Sequence, residues 1–254
     1  MALDPAYAPA LGRLAEVEVE WYVGYDPDQH RLKRAEDLLE RAMRIDPRLG
    51  VVRHAHGLLL EHRFDYQRAA AEFEQLVRDE PLNSEAWLDV CKCHQYVWPR
   101  RLPEAERACR RALEINPTYD SVYYFLARVL VGQVRRAEAN QALQELSRRA
   151  DLRGEDEPAD MVGEGRFWIA LETGRPQEAL AALAIHPQEG LYGLVRQSAA
   201  LSLDGQIDEA FNRLEQALEK GFRDGPQLRY APWYEPLRKD PRFEKLLAKY
   251  GLGQ

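Results

Sequence analysis

The sequence predicts an all-α protein: a solenoid of about six antiparallel helix pairs, closed by a capping helix at its C-terminal end. Three observations point there. One pattern recurs, as Ala35-x3-Leu39-x2-Ala42-x4-Pro47, Ala69-x3-Phe73-x2-Leu76-x4-Pro81 and Ala105-x3-Cys109-x2-Ala112-x4-Pro117. Pro47 and Pro81 stand 34 residues apart and Pro81 and Pro117 stand 36 apart, a period in the range of stacked helical repeats. Within each copy, Leu39, Phe73 and Cys109 lie one helical turn beyond a small residue on the same face. Small residues at Ala35, Ala69 and Ala105 let one helix approach its mate. The prolines cannot continue a helix, so each ends one pair and opens the next.

Taken in order, Asp4-Pro5-Ala6-Tyr7 has the form of a repeat ending, and Leu11, Leu14 and Ala15 then mark a first helix. Ala35 comes later than the period allows, which places the excess at the turn-rich stretch Gly24-Tyr25-Asp26-Pro27-Asp28. The second pair has its small residue at Gly57, a turn at Phe64-Asp65 and Tyr66 ahead of Ala69. The third shows Trp87, Val90 and Cys91 on one face, with a lengthened turn over Val97-Trp98-Pro99-Arg100-Arg101. In the fourth, Tyr123, Leu126 and Ala127 precede a turn at Gly132, and the second helix is expected over Arg136 to Arg149. These four pairs fill residues 1–150.

Residues 151–160, with the acidic run Glu155-Asp156-Glu157 before Pro158, read as a solvated linker. Two further pairs occupy 161–220. One carries Trp168, Ala170 and Leu171, a turn at Gly174, then Ala179 and Leu183. The other runs from Leu194 to Leu203, turns at Gly205, and continues with Ala210, Leu214 and Ala217. Gly221 caps that helix, and residues 221–254 form the closing element, with Phe243, Leu246 and Leu247 on one side and lysines on the other.

The recurring pattern resembles the tetratricopeptide-repeat (TPR) family. That resemblance implies a right-handed α-solenoid, in which each pair packs only on its neighbours and first helices line a concave groove. The sequence also resembles the TPR regions at the C-termini of bacterial signalling proteins, where the repeats follow a kinase, a cyclase or a winged-helix regulator. It shares their elongated first repeat, clean middle repeats and variable linker, and their ending over Pro236-Leu237-Arg238-Lys239-Asp240-Pro241-Arg242-Phe243. Asp4-Pro5-Ala6-Tyr7 is a repeat ending without its repeat, so the chain is expected to be the C-terminal part of something larger, with an open first edge that meets a neighbouring domain or another copy.

A formal charge of −7 argues against a nucleic-acid partner, and no stretch of ~18 apolar residues suggests a membrane span or secretion signal. The expected compartment is the cytoplasm. Phosphate-cradling glycine loops, nucleophile elbows and His-Glu-x2-His metal motifs do not occur, so neither an enzyme nor a cofactor is expected. Cys91-x-Cys93-His94 is a poor metal site, because residues two apart on a helix point ~200° apart. An odd count of three cysteines argues against a disulfide framework, and all three are expected reduced and structural.

The resemblance places the groove on His54, Leu58, His62, Leu88, Asp89, Lys92 and Tyr96, then Tyr124, Phe125, Arg128 and Arg196. Lys92 and Arg128 stand where the family clamps a carboxylate, but the family's asparagines are absent and Asp89 would repel that ligand. The mixture suits an amphipathic helix or an extended peptide better. The expected function is a protein–protein interaction scaffold within a signalling system. A self-assembling module forming a homodimer and a small-ligand sensor are the alternatives.

Overall fold

The computed structural model describes residues 7–24, 28–153, 157–185 and 190–253. The expected features at Asp4 to Ala6, Tyr25 to Pro27 and Glu155-Asp156 lie outside the described residues. Among those described the protein is all helix, with no strand. In chain order the helices are α1 (Ala8–Gly24), α2 (Gln29–Ile45), α3 (Gly50–His62), α4 (Tyr66–Asp79), α5 (Ser84–Tyr96) and α6 (Leu102–Ile115). Then follow α7 (Asp120–Gly132), α8 (Arg136–Arg153), α9 (Glu157–Glu172), α10 (Pro176–Ile185), α11 (Leu191–Leu203) and α12 (Ile207–Glu219). A short α13 (Gly225–Tyr230), a 3-10 turn over Pro232–Tyr234, α14 (Glu235–Arg238) and α15 (Arg242–Lys249) complete the chain.

The chain forms two compact units: residues 1–96 with 111–117, and residues 97–110 with 118–254. The division runs through α6. In the first unit α1 packs on α2 and α3, α3 on α4, and α4 on α5. In the second, α7 packs on α8 and α9, α9 on α10, and α11 on α12, the 3-10 turn and α14. In each unit a first helix therefore touches both its own mate and the next first helix, as stacked pairs require.

Local chemistry explains the punctuation. Pro47, Pro81 and Pro117 each follow a helix end, where the residue before the proline donates its backbone N–H to the carbonyl four residues back: Asp46 to Ala42, Glu80 to Leu76 and Asn116 to Ala112. The turns inside the pairs share another geometry. Phe64, Val134, Gly174 and Gly205 all have positive φ, at 61°, 65°, 69° and 80°. In each case the next residue's N–H returns five residues: Asp65 to Leu60, Arg135 to Leu130, Arg175 to Ala170 and Gln206 to Leu201. This is the Schellman ending, which normally wants glycine at the left-handed position. The fourth turn therefore centres on Val134, and α7 runs through Gly132 rather than turning there.

The small residues do what their spacing predicts. Ala35, Ala69, Ala105, Cys91 and Ala127 are wholly buried. A Cβ built on Gly57 would stand 2.6 Å from the Phe73 ring, so α3 and α4 approach as closely as a missing side chain allows. The expected linker is shorter than its sequence suggested: α8 continues to Arg153 and α9 begins at Glu157. Cys91 and Cys109 are each disulfide-bonded, whereas Cys93 is free and buried. The expectation of three reduced thiols is thus corrected.

Candidate functional site

Each unit carries a polar constellation in which residues on first helices take the main part. In the first unit it is ionic. His54, on α3, is 9% exposed and lies between two carboxylates, with Nδ1 2.7 Å from Glu16 on α1 and Nε2 3.0 Å from Asp89 on α5. Lys92, one turn beyond Asp89, donates to it at 3.2 Å and to Glu61 at 3.0 Å. Arg13 completes the chain by pairing with Glu16. Glu16, Glu61 and Asp89 are all buried. Buried charges stay charged only when opposite charges compensate the lost hydration.

The titration behaviour follows. Burial alone would lower the His54 pKa, but hydrogen bonds to Asp89 and Glu16 outweigh it and raise it to about 10. Burial likewise opposes ionisation of Asp89, yet Lys92 and His54 hold its carboxyl below the usual range. Lys92 is itself held well above its ordinary value against burial by Glu61 and Asp89. His62 goes the other way: packing around it and the Lys92 charge push it down to about 4. His54 is therefore a cation and His62 a neutral ring at pH 7.

In the second unit the constellation is aromatic and cationic. Glu164 on α9 is its hub, accepting from Tyr124 of α7, from Arg196 of α11 at 2.5 Å, and weakly from the Trp168 indole at 3.4 Å. The Arg128 guanidinium lies 4.1 Å from the Trp168 ring centre and 5.6 and 5.8 Å from Tyr124 and Phe125. It also donates to the Tyr124 hydroxyl at 3.3 Å. Trp168 continues into Trp233 at 5.7 Å, and Trp233 into Trp98 at 6.2 Å. Arg100 lies over the Trp98 ring at 5.0 Å and holds Glu172 through two nitrogens. Cations over aromatic faces gain from the ring quadrupole.

Trp233 comes from the C-terminal segment rather than from a first helix. Its neighbour Tyr234 is fully buried and donates to the Val195 carbonyl of α11 at 3.1 Å. The chain's own tail thus already lays aromatic side chains against first helices of this unit.

The expected groove residues fall into two groups. His54, Leu88, Asp89, Tyr124 and Arg128 are buried, while Leu58, His62, Lys92, Tyr96, Phe125 and Arg196 are partly exposed. His54, Asp89 and Lys92 are brought together in the first unit, where Tyr96 instead stacks on Tyr66 at 5.1 Å. Tyr124, Phe125, Arg128 and Arg196 are brought together in the second. Glu164, Glu172, Arg100 and Trp233 were missed. Glu164 lies one turn before Trp168 in the repeat with the most degenerate pattern, so no register pointed to it.

No protein-family model and no curated protein matches this sequence. Among solved structures it is similar to a thermophilic TPR protein of Thermus thermophilus, at 20% identity, with 75% of this chain and 98% of that chain covered and a TM-score of 0.55. It is also similar to a tetratricopeptide repeat protein from Parabacteroides merdae, at 13% identity, with 96% of this chain and 93% of that one covered and a TM-score of 0.52. Paired helices, proline-ended repeats and shared Schellman turns agree with that likeness: the fold is that of a tetratricopeptide-repeat α-solenoid.

Proposed function

We propose that this chain is a non-catalytic protein-interaction scaffold that holds a helix or extended peptide of a partner protein, with binding centred on the first helices of its second unit. The observation that carries the reading is the convergence of Tyr124, Arg128, Trp168 and Arg196 around Glu164, with Phe125 and Arg196 partly exposed beside the buried members. Aromatic and arginine side chains are the types that dominate the energetics of protein interfaces, and here their neighbours hold them in place before any partner arrives. The Trp233 and Tyr234 contacts add support, because they are a model within the chain of how an aromatic-bearing segment lies against these helices. The sequence ending and repeat order favour a regulatory or sensor role in a bacterial signalling system, acting in the cytoplasm. Among the described residues no helix is long and apolar enough to cross a membrane.

The test starts from peptides selected on the purified protein from a displayed random library, with affinity measured by fluorescence anisotropy. Phe125→Ala and Arg196→Ala should each weaken the best peptide by ~2 kcal/mol, the loss typical of an interface anchor. Arg44→Ala and Arg78→Ala, on exposed faces of second helices, should leave it unchanged. The reverse pattern, with the control pair weakened and the face pair unaffected, contradicts the assignment.

A further inference from the structure

We infer that the outward face of α1 is a self-association surface, on which a second copy of this chain packs its own α1 in the antiparallel direction. The first observation is a stripe. Leu14, Val17 and Trp21 are 52%, 38% and 48% exposed, while Ala8, Leu11, Ala15 and Val19 of the same helix are buried. Tyr7, just ahead of the helix, is 56% exposed, and Ala10 is partly exposed. Residues 7, 10, 14, 17 and 21 alternate steps of three and four, the a and d spacing of a helix that packs along another helix. Isolated exposed apolar residues are ordinary; a continuous line of them along one helix is not.

The second observation decides the occupant. Arg13 and Glu20, both exposed, flank the stripe on the same side, seven residues apart. Antiparallel pairing about a twofold axis between Leu14 and Val17 sets Leu14 against Val17 of the second copy and small Ala10 against large Trp21. It also sets Arg13 against Glu20, twice by symmetry. A parallel pair would set Ala10 against Ala10 and Trp21 against Trp21, and would hold Arg13 and Glu20 on the opposite edge from their counterparts, so the sizes choose the antiparallel arrangement and only there does Arg13 meet Glu20. On the other flank Glu18 is occupied by Arg31 and Arg34 at 3.0 and 3.1 Å, and Arg31 lies over one face of Trp21 at 4.9 Å. The surface is self-complementary in size and in charge, which is what an isologous dimer requires. A single helix pair ~25 Å long is a small interface, so a reversible dimer is expected.

Sedimentation velocity on the full chain across the micromolar range provides the test. The expected result is a concentration-dependent shift from monomer to dimer. Leu14→Glu combined with Val17→Glu should abolish the shift with unchanged helical circular dichroism, since both side chains are exposed. Glu20→Arg should weaken self-association about tenfold, because it sets a guanidinium against Arg13 of the second copy twice by symmetry, while leaving the Arg13 pairing with Glu16 intact. A chain that stays monomeric at every concentration overturns the proposal, as does a dimer that survives the Leu14→Glu and Val17→Glu changes. Self-association left unchanged by Glu20→Arg overturns the antiparallel register.

Discussion

The first-helix faces of the two units solve one structural problem with different chemistry. In the first unit the positions between packing residues hold charges, and Glu16, His54, Asp89, Lys92 and Glu61 satisfy one another as a buried chain. In the second the equivalent positions hold rings and guanidinium groups, with Arg128 over Trp168 and a carboxylate, Glu164, shared by three donors. A buried ion chain uses its donors and acceptors internally, and each member costs a great deal to disturb. Ring faces saturate less completely, and Phe125 and Arg196 still reach solvent. The difference teaches that a repeat scaffold can use the same positions either to hold itself together or to present a surface.

The largest expected effect comes from breaking the ion chain. Asp89→Ala takes from the buried His54 and Lys92 charges the one carboxylate they share, leaving Glu16 to one and Glu61 to the other, and should cost ~3–5 kcal/mol in a urea titration. Glu164→Ala, at a partly exposed hub, should cost ~1–3 kcal/mol. Equal losses would erase the distinction between the two faces.

Next is pH. The His54 pKa rises on folding from 6.5 to about 10, so its contribution is complete below pH 6.5 and disappears as pH rises toward 10. That loss should be on the order of 2–5 kcal/mol. His62 falls to about 4, so protonation favours the unfolded chain and stability drops as pH falls from 6.5 toward 4. In the second unit burial raises Asp224 to about 7, against the hydrogen bond from the Gln227 backbone, so stability contributed there declines as pH climbs from about 4 to 7. Between those values the two units should respond with opposite sign. Ring-proton NMR titration of His54 and His62 checks the first unit, and stability curves of Asp224→Asn against the parent check the second.

Trp233→Leu should cost about 2 kcal/mol through lost burial and lost ring contacts with Trp168 and Trp98, and should shift tryptophan emission toward the red. An unchanged spectrum would separate the tail from the aromatic face.

The smallest effect concerns the turns. Val134 is 89% exposed and holds a left-handed backbone with no burial to compensate it. Val134→Gly should therefore stabilise by ~0.5–1 kcal/mol. Phe64 adopts the same conformation but packs its ring 6.3 Å from that of Tyr66, so Phe64→Gly should bring no gain. Thermal unfolding of both variants provides the check.

The sequence made the repeat legible because its markers are local. Proline after a helix end, a small residue at a close approach and glycine in a turn each leave a mark within a few positions. The turn at Val134 escaped for the same reason, since its left-handed residue is not glycine. What could not be read was pairing over distance. Periodicity assigned His54, Asp89 and Lys92 to one face, but not that carboxylates 38 and 35 residues from His54 would bury it as a cation. Tyr124 and Arg128 were assigned to a surface and lie mostly beneath it, covered by one another and by Trp168. Glu164 and Trp233 depend on the degenerate fifth pair and the C-terminal segment, where the repeat offers no register.

The proposed division of labour is tested most directly by hydrogen–deuterium exchange of the full chain with and without a saturating selected peptide. Protection should appear on α7, α9 and α11, while α1, α3 and α5 exchange as they do in the free protein. Protection confined to α3 and α5, with α7 to α11 unchanged, would contradict the account.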